Sequence, residues 1–255
     1  MQSLINSLIY QPILQTLLFF DHLTGNFGAA IILLTLAIRT LLIPLTLPGM
    51  KMSVKMRDLQ PELNKLKSQY AKDKAGLQKA QMALFQEHRV NPASGCLPMI
   101  AQFVVLIVLY RVFMDLLGGK TATIIQVNFL WLNLTKPDPF YIMAILAGLT
   151  QLVLSLMVLP ATSTAAEQTL AAATPSKTDD AKADDMGEMA ATMQKQMVFM
   201  MPLMTALIAL RFPAGLSLYW IISTLFSIVQ QYYVSGFGAL VPTLQRYLPL
   251  PHHRA

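Results

Sequence analysis

The sequence is poor in cysteine and in charged residues. A single cysteine, Cys96, among 255 residues excludes a disulfide framework and any zinc cluster built from cysteines. Only 13% of the residues are charged, whereas soluble domains usually carry about 25%. Hydrophobic residues make up 55% of the chain, and its mean hydropathy is +0.51. A chain with so few charged side chains cannot cover its surface in water, so a membrane protein is predicted.

Signals for catalysis and for cofactors are also scarce. The four histidines have no cysteine or carboxylate at ligand spacing, so no metal site is predicted. Gly118–Thr121 is similar to part of a phosphate-binding loop, but Met114 stands where that motif needs glycine. No nucleophile, base and acid fall together on one side of the membrane, and no nucleic-acid motif is found. The sequence therefore predicts neither an enzyme nor a bound cofactor.

Five apolar stretches are candidates for transmembrane helices, which need about 20 apolar residues to cross the hydrocarbon layer. The five stretches are 27–48, 97–117, 140–159, 197–210 and 212–234. The fourth is only about 21 Å long as a helix, so the hairpin it forms with the fifth is expected to thin the bilayer. Residues 4–20, within the N-terminal segment 1–26, are apolar but interrupted by polar residues, which predicts an interfacial amphipathic helix. The predicted fold is an all-α membrane protein.

The distribution of Lys and Arg between the apolar stretches predicts their orientation. Fourteen basic residues lie on one side of the membrane and three on the other. The first side comprises 49–96, 160–196 and 235–255, and the second comprises 1–26, 118–139 and 211. Because basic residues accumulate on the cytoplasmic side, the N-terminus is predicted to be outside and the C-terminus inside.

The two long cytoplasmic connections differ in composition. In 49–96, apolar residues recur at helical spacing on both sides of a turn at Asp73–Gly76, which predicts a helical hairpin. The recurring positions are Leu59, Leu63, Leu66, Tyr70, Leu77, Ala80, Leu84 and His88. The alternative is a solvated linker whose charges only set the topology. The connection 160–196 is rich in Ala, Thr, Ser and Asp over 160–190, which predicts disorder.

Arg39 is the most informative residue, because it lies inside the first apolar stretch. An arginine at the centre of a membrane helix costs at least about 2.5–3.5 kcal/mol. The only acidic residue within the stretches is Asp115, near the outer end of the second, which makes it a poor partner. We therefore predict a hydrated cavity around Arg39. Its polar lining is predicted to come from Thr35, Gln102, Gln151, Ser155, Ser217, Ser223 and Ser227.

A second interpretation of Arg39 and these polar residues remains. Arg39 can instead extend toward the cytoplasmic interface, while the Ser, Thr and Gln side chains only join helices.

Methionines recur at intervals of three or four residues through much of Met186–Met204, so nearly all of them share one helix face. Methionine adapts to varied apolar partners, so this face is either a contact surface for client segments or ordinary helix packing.

Several motifs occur in the order found in one family of membrane proteins. The sequence resembles the YidC family of membrane-protein insertases, in the short bacterial form without a large periplasmic domain. The matching blocks are Leu23–Arg39, Leu59–Leu66, Asn91–Pro98, Phe129–Leu134, Asp138–Tyr141 and Phe212–Trp220. The resemblance as a whole extends from about residue 5 to residue 235.

The resemblance implies a groove, open to the cytoplasm and to lipid, that receives hydrophilic parts of client proteins. By position, Arg39 matches the groove arginine of the family and Thr35 its neighbour one turn away. Gln151 and Trp220 align with positions that line the groove. The implied function is an insertase and chaperone of the bacterial cytoplasmic (inner) membrane, working without a cofactor.

The implied partners are newly made membrane proteins and the lipid bilayer, together with the Sec translocon and the ribosome. The tail 235–255 carries only Arg246 and Arg254, which is a weak signal for ribosome binding. Two other functions fit the same residues. A small-anion channel or transporter would use Arg39 to attract its anion, and a structural scaffold would leave client topology independent of Arg39.

Overall fold

The fold is mostly helical and contains one small hairpin. The computed structural model describes residues 6–70, 73–91, 97–118, 127–158 and 200–238. Its helices are a π-helical turn at Asn6–Tyr10, α1 (Gln11–Thr24), α2 (Phe27–Leu41), α3 (Ile43–Asp58), α4 (Gln60–Gln69), α5 (Lys74–Glu87), α6 (Leu97–Gly118), α7 (Ile142–Val158), α8 (Met200–Ala209) and α9 (Ala214–Ser235). The strands β1 (Asn128–Phe129) and β2 (Leu132–Asn133) pair antiparallel. Several predictions lie outside the described residues: disorder in 160–190, the methionines from Met186 to Met197, and the tail beyond 238.

The first apolar stretch is not one straight helix. Residues 27–48 were expected to form a single span, but α2 ends at Leu41 and α3 begins at Ile43, with 66° between them. Pro44 lies in the first turn of α3. Its ring has no N–H to donate and would clash with the carbonyl four residues earlier, which favours a kink or a break in the helix at this point.

A membrane crossing requires a helix that is both long and apolar enough. Within the described ranges no single helix meets that requirement, whereas α2 and α3 meet it together as a bent pair. Two further apolar helices, α7 and α8, are shorter than a span.

The helices pack around α9, which lies against α7 on one side and α2 on the other. α1 packs along α2, and α6 contributes six buried apolar residues to the core, against five from α9. Phe27 and Phe113 meet edge to face with their ring centres 5.6 Å apart. Both rings are fully buried, as are Leu17 and Tyr219. Burial of these large side chains is the main source of cohesion between the helices.

One end of the bundle is sealed by close backbone contacts. We call it the loop end: residues 127–141 with the first turns of α2 and α9. The backbone N–H groups of Ala214 and Gly215 donate to the carbonyls of Lys136 (2.8 Å) and Leu134 (3.1 Å). The buried carboxylate of Asp138 accepts from the N–H of Phe140 and of Met143, at 3.1 and 2.8 Å. These bonds fasten the loop to the starts of α7 and α9.

The helices α4 and α5 form a separate pair that packs mainly on itself. Pro61 lies in the first turn of α4, and the carboxylate of Asp73 caps α5 by accepting from the N–H of Gly76 at 2.9 Å. Leu59, Leu63 and Val90 are buried to 6% exposure each. His88 and Glu62 approach to 3.5 Å across the pair. The leucine positions of the sequence stripe thus include the most buried side chains of this segment.

Candidate functional site

Arg39 is positioned by the start and length of α2. The side chain of Asn26 caps this helix by accepting from the N–H groups of Gly28 (3.0 Å) and Ala29 (3.2 Å). Thirteen residues of helix then carry the chain about 20 Å to Arg39. Because α2 ends at Leu41, Arg39 lies in its last turn, and not in the middle of an unbroken helix as expected. The carbonyl end of a helix dipole favours a positive charge at this position.

Arg39 joins three helices through its guanidinium group. Its Nη1 atom donates to Ser227 Oγ of α9 at 3.0 Å, and its Nη2 atom donates to Gln102 Oε1 of α6 at 2.5 Å. We call Arg39, Gln102 and Ser227 the arginine end of the bundle. Both acceptors are neutral, and the guanidinium is partly buried. A hydrogen bond to a charged group contributes about 1.5–3 kcal/mol, so these two bonds offset part of the cost of burying the charge.

The guanidinium is not neutralised by a carboxylate in the described part of the chain. The ion pairs there join Arg57 to Asp58 and His88 to Glu62. Asp115 lies thirteen residues beyond Gln102 on α6, about 20 Å along the helix axis. Its Oδ2 atom accepts instead from the hydroxyl of Tyr10 at 2.6 Å. The arginine end therefore keeps a net positive charge.

Sequence reasoning did not single out Tyr219. Its side chain is 1% exposed and lies beside Arg39, Gln102 and Ser223. Tyr219, Ser223 and Ser227 recur every four residues, which places them along one face of α9. This spacing was available in the sequence, but nothing in it showed that the face turns toward α2 and α6.

The other predicted residues differ in how close they come to Arg39. Thr35 is buried, and its hydroxyl donates to the Ile31 carbonyl of its own helix at 2.6 Å. Ser217 is also buried, and its hydroxyl lies 3.5 Å from the carbonyl of Ala209. Trp220 is partly buried against the core, and Gln151 and Ser155 are partly exposed on α7. Of the predicted set, Gln102 and Ser227 are the residues that the structure bonds to Arg39.

The chemistry available at the arginine end is hydrogen bonding and charge attraction. A guanidinium has five N–H donors, and the bonds to Gln102 and Ser227 use two of them. Among the described residues, no group of three or more His, Cys, Asp or Glu side chains is arranged to hold a metal ion. The arrangement suits reversible binding of polar or anionic groups.

The sequence profile of the 60Kd inner membrane protein family matches residues 19–238 of the chain. The membrane protein insertase YidC of Fusobacterium nucleatum is 35% identical, over 91% of this chain and the whole of that protein. The membrane protein insertase MisCA of Bacillus subtilis is 36% identical, over 89% of this chain and 78% of that protein. A YidC of Geobacter sulfurreducens is 32% identical over 90% of this chain but only 37% of its own length.

A solved structure has a similar fold. It is the crystal structure of an active YidC insertase with its first transmembrane domain resolved. The TM-score is 0.61 at 24% identity, and the match covers 90% of this chain and 46% of that one. The likeness extends through nearly all of this chain, and the other protein has further residues outside it.

Proposed function

The chain belongs to the 60Kd inner membrane protein family, and it is 35–36% identical to a YidC and to MisCA over about 90% of its length, so we propose that it is an insertase. The resemblance to the YidC family is thereby confirmed. The chain is proposed to insert newly made membrane proteins into the bacterial inner membrane and to assist their folding. Hydrophilic client segments would be received beside Arg39, and apolar segments would pass into the lipid.

The proposed topology follows the distribution of basic residues. The N-terminus lies outside, the C-terminus lies in the cytoplasm, and five segments cross or enter the membrane between them. The loop end then faces outward, and the arginine end lies toward the cytoplasm. The pair α4–α5 is proposed to be a cytoplasmic hairpin, and α1 an interfacial helix. The bent pair α2–α3 supports this arrangement, because the two helices together meet the length and hydropathy that a crossing requires.

The single observation that carries the proposal is a cation held by neutral oxygens alone. Arg39 is fixed by Gln102 and Ser227, so its charge is oriented but not cancelled. A fixed carboxylate would compete with any client for the guanidinium. With neutral partners, the remaining N–H groups are open to carbonyl or carboxylate groups of a client. Gln151, Ser155 and Trp220 are proposed to line the groove, with Thr35 and Ser217 packed behind it.

The energy for insertion is proposed to come from the client itself. Apolar client surface that leaves water contributes about 25 cal/mol per Å². The obstacle is the hydrophilic segment, which must cross a layer of low polarity. A groove that supplies charge and hydrogen bonds over part of the distance lowers the free-energy cost of moving that segment. No nucleotide or other cofactor is needed for such a cycle.

The proposal is tested by insertion of a single-span client into proteoliposomes. We expect Arg39→Ala to reduce insertion strongly and Arg39→Lys to reduce it less, because lysine keeps the charge but not the paired donors. Arg111→Ala is the matched control, since Arg111 is exposed on α6. Normal insertion of every client by both Arg39 variants would reject the groove mechanism. Selective steady conductance in a planar bilayer would instead favour an anion channel.

A further inference from the structure

The bend between α2 and α3 forms a shallow, open cavity that the client groove does not use. Its volume is about 630 Å³, and it is lined by Leu36, Ala37, Thr40, Leu41 and Pro44. All five residues are exposed. The hydroxyl of Thr40 donates to the Leu36 carbonyl at 2.8 Å, so it is satisfied within its own helix. The cavity therefore presents an almost wholly apolar lining.

This cavity and Arg39 lie on different faces of α2. At 100° per residue, the centre of the face formed by Leu36, Ala37, Thr40 and Leu41 is about 130° from Arg39 around the helix axis. Arg39 turns toward α6 and α9, whereas the cavity opens away from its two partners on those helices. The cavity is thus a second surface, distinct from the arginine end.

A basic stripe continues from the cavity along α3. Pro44, Pro48, Lys51 and Lys55 fall within an arc of about 60° on one face of this helix, and all are exposed. Lys51 lies about 10 Å and Lys55 about 16 Å beyond Pro44 along the axis. Asp58 follows on the same face, but Arg57 lies 3.6 Å from its carboxylate and offsets its charge. The stripe therefore presents two uncompensated ammonium groups.

We propose that the bend binds an anionic phospholipid. One acyl chain occupies the cavity at Leu36–Pro44, and the phosphate of the headgroup lies over Lys51 and Lys55. The arrangement of features along this surface favours a phospholipid, because the two lysines lie about 10–16 Å beyond Pro44 of the apolar cavity, on one face of α3. A phospholipid has the same order of chain and phosphate, and a net negative headgroup matches the charge. The bound lipid would hold α3 along the membrane surface next to the client groove.

The charge requirement is tested by native mass spectrometry of the full chain, released from micelles that contain equal phosphatidylglycerol and phosphatidylcholine. Each basic residue near an anionic lipid surface strengthens binding about fivefold. We expect the wild type to retain phosphatidylglycerol about 25-fold in excess, and Lys51→Gln/Lys55→Gln to lose most of that excess. Lys65→Gln/Lys79→Gln is the matched control, because both residues are exposed on the α4–α5 pair. An equal loss in the control, or no excess in the wild type, would overturn the proposal.

The acyl chain requirement is tested in the same experiment by filling the cavity. Ala37→Trp is expected to reduce the retained phosphatidylglycerol severalfold, whereas Leu149→Trp, at an exposed position of α7, should leave it unchanged. If Ala37→Trp does not change the amount of phosphatidylglycerol retained, only the lysines attract the lipid, and the cavity site would be rejected. Dimers that dissociate in Lys51→Gln/Lys55→Gln would assign the surface to a second copy of the chain and also overturn the proposal.

Discussion

The two ends of the helical bundle hold polar groups in opposite ways. At the loop end, the carboxylate of Asp138 and the carbonyls of Leu134 and Lys136 are paired with backbone N–H groups. At the arginine end, the charged side chain of Arg39 is bonded, within the part of the chain that the structure describes, to the neutral side chains of Gln102 and Ser227. Backbone pairing makes the loop end a rigid closure. Side-chain pairing leaves the arginine end able to exchange its partners, as the proposed client groove requires.

The surroundings of Gly28 and Gly215 show how tightly the loop end is packed. A Cβ atom at Gly28 would overlap the ring of Phe129, and one at Gly215 would lie 3.1 Å from the ring of Phe113. The backbone of α2 thus approaches the loop too closely for a side chain at Gly28, whereas at Gly215 the neighbours would have to move by a few tenths of an ångström. Gln151 and Ser155, in contrast, remain partly exposed on the α7 surface. The loop end is therefore expected to govern stability, and the arginine end to govern function.

The largest effect is expected from Gly28→Val at the loop end. The added side chain must displace Phe129, and overpacking of this kind costs about 3 kcal/mol. Thermal unfolding in detergent would show the loss, while insertion per folded molecule should stay near the wild-type level. In a Phe129→Ala background the same substitution should cost much less, since the ring that it meets is gone. An equal cost in both backgrounds would disprove this contact as the cause.

An intermediate effect is expected from Gln102→Leu at the arginine end. The guanidinium loses an oxygen acceptor, which should destabilise the fold by about 2 kcal/mol and reduce insertion as well. Gln230→Leu is a matched control, because the Nε2 atom of Gln230 is buried and has no hydrogen-bond partner within the described residues. Removing that amide should be neutral or stabilising. Similar losses in both variants would remove the distinction between the two glutamines.

The smallest effect is expected from Tyr10→Phe, which breaks the bond to Asp115 and should cost at most about 1 kcal/mol. Desolvation, followed by the hydrogen bond and the charge of Asp115, raises the pKa of Tyr10 from 10.0 to about 12. Because the folded-state pKa is the higher one, this contribution to stability is complete below pH 10 and is lost as the pH rises through 12.

The titration of Tyr10 can be followed by phenolate absorbance, as the difference between the wild type and Tyr10→Phe. Asp115→Asn should lower the pKa of Tyr10 toward its usual value, since it removes the negative charge beside the phenol. A Tyr10 that titrates near pH 10 in the wild type would show that the contact does not persist in solution.

Part of the fold and part of the site could be predicted from the amino-acid sequence. The apolar stretches indicated a helical membrane protein, and the ordered motifs indicated the family, which the comparisons confirm. The bend in the first stretch was missed, although Pro44 marks it, because membrane helices tolerate proline where neighbours satisfy the freed backbone groups. Tyr219 was missed because tyrosine is common at helix surfaces, and only packing shows that this one is buried.

The sequence by itself determined that Arg39 stands among apolar residues with its one acidic counterpart, Asp115, far away on another stretch. That follows from the residue composition of the apolar stretches and from the order of residues along the chain, both of which can be read without a structure. Tertiary structure alone decided which neutral groups hold the guanidinium, because Gln102 and Ser227 are 63 and 188 residues away along the chain. Helical periodicity assigns residues to faces, but the rotation of each helix against its neighbours depends on the packing of all their side chains together.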